Sequence, residues 1–127
     1  MISERGSAVV ESVAGIVALL VLVVGVIEVA FALYARNVVV AAAHEGARAA
    51  IELGSGPGDA SAVARAAVHR AAGGLVDDLV VETSFAATRP TVRVRVTVSG
   101  VLDAFGPVPF PMRLSSTASV TRATRVR

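Results

Sequence analysis

A chain of 127 residues with no cysteine can have no disulfide framework, thiolate nucleophile or cysteine-held metal. Its formal net charge of +2 is too small to argue for a nucleic-acid partner, and charge of that size serves solubility first. Hydrophobic residues make up 54% of the chain while aromatics make up 4%, so any core must be built from small aliphatic side chains and sheet pairing.

The first element is an apolar run. Across residues 12–35 only Glu28 carries a formal charge, and most other positions are Val, Leu, Ile, Ala or Gly. At about 1.5 Å per residue such a helix reaches about 36 Å, enough for a hydrocarbon core about 30 Å thick. A secretory signal has a shorter apolar region that ends at a small-residue cleavage site. Here the run continues unbroken into Tyr34-Ala35-Arg36-Asn37-Val38, so the segment reads as a retained membrane helix. About 90 residues remain for one small outer domain.

Ahead of the run lies a short charged leader ending in Gly6, with Glu11 five residues further on. Arg5-Gly6-Ser7-Ala8-Val9-Val10-Glu11, then Gly25-Val26-Ile27-Glu28, Leu33-Tyr34-Ala35-Arg36-Asn37 and His44-Glu45-Gly46-Ala47-Arg48-Ala49 follow one another in order. Together they resemble the TadE-like proteins of the tight-adherence (Flp) pilus system, over about the first 50 residues. The resemblance implies a minor pilin or pseudopilin that a prepilin peptidase cuts between Gly6 and Ser7. The implied partners are that peptidase, the major Flp pilin and other minor pilins, the inner-membrane assembly platform and the lipid bilayer. Pseudopilins of this system often carry Tyr directly after the glutamate, where this chain has Ser12.

Glu11 and Glu28 are the candidate assembly residues. A carboxylate in an apolar helix is costly in lipid and tends to mark function or a partner. After a cut at Gly6, the new amine of Ser7 is a positive charge that must enter a packed helix bundle. Glu11, about one turn along, can pair with it, since buried charges are tolerated when paired. The plainer reading makes Glu11 a marker of the membrane boundary. Glu28 is either an interfacial side chain or a contact with a partner helix, with Ala18, Gly25 and Ala32 repeating every seven residues beside it. Arg5 favours a cytoplasmic amino end while Arg36 and Arg48 oppose it; the resemblance implies amino end inside and head outside.

Helical pattern persists to about residue 53, with Glu45, Arg48 and Glu52 at pair spacing. Gly46 is a weak point in an exposed helix unless a neighbour uses the gap. Gly54-Ser55-Gly56-Pro57-Gly58 reads as a break. Asp59 is then a candidate N-cap for a second helix over 60–72, ended by Gly73-Gly74 and covering a sheet. Alternation over 79–85, 91–98 and 114–120 predicts an antiparallel sheet of about three strands, with Ala87-Thr88-Arg89-Pro90 as a hairpin link and 103–112 as a longer loop. The expected fold class is α+β: leader 1–6, long helix 7–53 with its membrane part at about 12–35, and a small extracytoplasmic head over 54–127.

Arg93 and Arg95, with Arg122, Arg125 and Arg127, are a candidate basic patch, but no aromatics interleave with them as a single-strand platform requires, so a solvated face is favoured and nucleic acid is not expected. Phe105 and Phe110 lie in a Pro-rich loop that either caps the sheet or contacts a subunit. Asp77-Asp78 reads as the close of the preceding helical region. His44 and His69 belong to no metal-ligand or nucleophile motif, so neither an enzyme nor a cofactor is expected. The expected function is assembly of a tight-adherence pilus from a single-pass position in the cell membrane or from within the pilus. The alternative is an uncleaved membrane-tethered module whose basic head captures an anionic polymer.

Overall fold

The computed structural model describes residues 2–52, 56–102 and 111–123. Helix α1 runs unbroken over Ile2–Glu52, helix α2 over Pro57–Ala72, and strands β1 (Val76–Thr88), β2 (Thr91–Leu102) and β3 (Met112–Ala123) follow. The strands form one antiparallel sheet in the order β1-β2-β3. The α+β class and the single long amino-terminal helix are as the sequence reading expected.

α1 has two halves of different character. Through Tyr34 its large apolar side chains stand exposed on every side; from Ala35 one stripe is buried, through Val38, Val39, Ala42, Ala43, Ala47 and Ala50. A helix apolar all round belongs in a core or a membrane, whereas a one-sided stripe belongs against a domain. The second half of α1 thus completes the core of the head, together with Ala60, Ala64 and Val68 of α2 and Val94, Val96 and Val98 of β2.

Small side chains set how closely these layers meet. A Cβ at Gly46 would lie 2.9 Å from the carbonyl oxygen of Ala60 and 3.0 Å from the Cβ of Ala64. The gap foreseen at Gly46 is therefore filled by the backbone of α2. α1 lies over β2 and β3, and α2 packs on α1 and over β1. The expectation that α2 covers the sheet holds at β1, while α1, whose Ala- and Val-rich stripe is the longer apolar face, covers β2 and β3.

Local chemistry explains the boundaries. α2 starts earlier than expected, with Gly56 as N-cap and Pro57 in its first turn, where a missing N–H costs nothing; Asp59 lies inside that turn and is not the cap. Gly73 ends the helix at φ +57°, its N–H donating to the His69 carbonyl. Asp77 and Asp78 do not close the helical region. They lie in β1 at a shift in its register with β2, where Asp78 takes φ 49°; Asp is among the residues that tolerate that region. All three strands extend beyond the alternating cores read from sequence, and the β1–β2 link is the two-residue turn Arg89-Pro90, with a cis peptide.

Pairing fixes the two faces. Val92, Val94, Val96 and Val98 share the helix-facing side with Val81, Thr83 and Phe85 of β1 and Ser116, Ala118 and Val120 of β3. Arg93, Arg95 and Thr97 share the open side with Ser84 and Glu82 of β1 and Thr117, Ser119 and Thr121 of β3.

Candidate assembly surface on the long helix

The candidate site is a length of α1 that nothing among the described residues covers. The apolar part of Gly6–Glu52 reaches a mean hydropathy of 3.0 over 18 residues, and none of that window is buried. Val, Leu and Ile dominate it, residues whose transfer from water to an apolar surrounding is worth roughly 1.5–3 kcal/mol each on full burial. Such a surface is suited to lipid or to other helices.

Gly6, Ser7 and Glu11 all lie on the exposed first turns of α1. A side chain at Gly6 would meet nothing within 4 Å. The four residues from Ser7 to Glu11 amount to about 6 Å of rise, one turn on the same face. Beside Glu11, the Ser12 hydroxyl donates to the Ala8 carbonyl at 2.9 Å, so this side chain is turned back onto the helix.

Glu28 is different. Like Gly25 and Ala32 it is half-buried on a largely exposed stretch, and its Oε1 is shielded from solvent with no hydrogen-bond partner among the described residues. Gly25 and Ala32 lie three and four residues away, and the stripe they define with Glu28 runs on into Ala35 and Val39, the face that meets the head. Above it, the Tyr34 hydroxyl donates to the Ala71 carbonyl at the end of α2, at 2.6 Å, while the ring stays 47% exposed. Tyr34 is the chain's only tyrosine. An amphipathic ring with a tied polar tip suits a membrane boundary. The sequence reading missed this tie, although a lone Tyr after a long apolar run was a visible signal.

Other candidates separate. His44 is exposed on α1 and His69 on α2. His44 borders an open groove of about 550 Å³ with Glu45, Arg48, Glu52 and Val63. Glu45 there is engaged by Arg70 at 3.1 Å and Arg48 by Glu52 at 3.3 Å. Among the described residues no three His, Cys, Asp or Glu side chains gather as a metal site. The basic patch is split, because alternation turns Arg122 to the helix side, where it donates to the Ile51 carbonyl at 3.1 Å. Arg125, Arg127, Phe105 and Phe110 lie outside the described residues.

These features define a class: an α+β protein hung on a long apolar amino-terminal helix of the kind that anchors proteins in membranes. Residues 6–48 match the family model described as TadE-like protein. Over that segment the chain is similar to the TadE-like proteins, as its motifs suggested. No curated protein and no solved structure matches it.

Proposed function

We propose that this chain is a membrane-anchored minor pilin or pseudopilin that takes part in assembling a tight-adherence pilus. The observation that carries the reading is a coincidence of bounds: the TadE-like match over 6–48 falls on one unbroken helix, from the leader through the apolar run and into the head's core. What the family has in common is then the helix, and the sheet is what this chain hangs on it.

The mechanism is assembly without catalysis or cofactor. A prepilin peptidase cuts after Gly6, with the amino end in the cytoplasm and the head outside. The freed Ser7 amine lies one turn from Glu11, which neutralises it when the helix leaves lipid for a packed bundle. With Tyr34 at the headgroup level, Glu28 sits about 9 Å deeper, where its unpartnered oxygen calls for a donor from a neighbouring helix. Gly25 and Ala32 let that helix approach closely. The neighbours are the major Flp pilin, other minor pilins or the inner-membrane platform.

The test is the intact mass and amino-terminal sequence of the protein from its native cells, beside a Gly6→Ala variant. The expected result is a chain beginning at Ser7, with the variant left at full length. A native chain that keeps its leader would sink the processed-pilin mechanism, and the uncleaved tethered module would replace it.

A further inference from the structure

The arginines of the head fall into two groups. On the helical side four guanidiniums are committed within the chain: Arg48 to Glu52, Arg70 to Glu45, Arg65 to the Leu79 carbonyl and Arg122 to the Ile51 carbonyl, while Arg36 stands exposed lower on α1. On the other side, Arg93 and Arg95 stand in the middle of the open sheet face and Arg89 at its hairpin tip, all exposed and with no hydrogen bond or ion pair to any described residue.

Arg93 and Arg95 have only short cross-strand neighbours. Arg95 is flanked across the strands by Ser84 and Ser119, and Arg93 by Ala86 and Thr121. The open face carries Glu82 diagonally beyond Arg95 and Asp77 further toward the other end of the sheet, near Arg113, so the positions directly opposite Arg93 and Arg95 hold only hydroxyls and one methyl. Arg93 and Arg95, two residues apart on one strand, are about 7 Å from each other. A guanidinium grips a carboxylate with two parallel hydrogen bonds, and Ser and Thr hydroxyls both donate and accept, matching sugar hydroxyls. Among the described residues no aromatic side chain lies with them, since Phe85 faces the helix side, so these residues offer no stacking platform for single-stranded nucleic acid.

We infer that this part of the open sheet face binds an acidic polysaccharide, with Arg93 and Arg95 gripping successive carboxylates and the flanking hydroxyls meeting the sugar ring. The fold directs it outward. β2 returns alongside the second half of α1, with Val96 beneath Gly46 and the end of β3 at Ile51, so the sheet stands between α1 and the open face. Wherever α1 is packed among lipids or helices, that face is left free. The inference stands on the head alone and does not depend on processing at Gly6.

The experiment uses the full chain in lipid nanodiscs, with polygalacturonate as the probe, neutral dextran and duplex DNA as comparisons, and empty nanodiscs as the blank. Binding is measured at about 50 mM and about 200 mM salt, a range over which charge-driven affinity falls steeply. The expected result is retention by polygalacturonate and not dextran, weaker at the higher salt. Arg93→Gln with Arg95→Gln should lower affinity about tenfold, two exposed charge contacts at under about 1 kcal/mol each. Arg65→Gln with Arg70→Gln should leave it unchanged, and the melting temperature of the first pair should match the parent. Absence of binding, equal loss in both pairs, or duplex DNA bound at least as tightly through the same two arginines overturns the inference.

Discussion

Arg122, one residue from the end of β3, donates its Nη1 to the carbonyl oxygen of Ile51, one residue from the end of α1, at 3.1 Å across 71 positions of sequence. The last carbonyls of a helix have no partner within it and carry the negative end of its dipole, so a guanidinium there both caps and neutralises. Arg122→Gln should cost about 0.5–1.5 kcal/mol of head stability, a single exposed hydrogen bond. Denaturant unfolding in detergent measures it, and amide exchange should quicken over the last turn of α1. Unchanged exchange there would show the contact to be idle.

Gly46→Ala offers a sharper test of the packing. In an open helix the change would stabilise by up to about 1 kcal/mol. Here the added methyl runs into the backbone of α2 at Ala60, which cannot rotate away as a side chain can. Overpacking of this kind costs typically about 1–3 kcal/mol, so the expected sign is a lower melting temperature. A rise would mean the two helices are not held that close.

Tyr34→Phe removes one hydroxyl and leaves the ring. The expected loss is about 1 kcal/mol, with faster amide exchange confined to Gly73, Gly74 and the end of α2. A loss spread evenly over the head would instead assign Tyr34 a general packing role.

Glu28→Gln keeps shape and removes charge. The variant should reach the membrane at parental levels while pilus output in its native cells falls, and a double-alanine change at Arg93 and Arg95 should leave that output alone. Normal piliation with Gln at position 28 would remove Glu28 from the assembly contact.

The sequence made some of this plain and hid the rest for physical reasons. Period-two alternation is strong in Val92, Val94, Val96 and Val98, so the sheet and its faces were legible in advance. The end of α2 was legible too, because Gly73-Gly74 is chemistry specific to a stop. Its start was not: Asp59 and Pro57 are both starting residues, and only the backbone distinguishes cap from first turn. Arg122 was grouped with Arg93 because charge alone does not say which face a residue takes; its place opposite Val92 does. Asp77-Asp78 misled because a register shift inside a strand leaves no periodic signature. At the candidate site, Gly6, Glu11 and Glu28 could be picked out by spacing, whereas the tie from Tyr34 to Ala71 joins residues 37 apart and needed the fold.

The buried stripe from Ala35 to Ala50 on α1 decides where the protein can be divided. A fragment starting after the glycine-rich break would leave behind the side chains that close over Val94, Val96 and Val98, and its sheet would present a bare apolar face to water. A fragment starting at about residue 35 keeps that lid while dropping the exposed apolar part. Anyone grafting this sheet onto another anchor should therefore splice just below Tyr34, carrying the last five turns or so of α1 along as cargo.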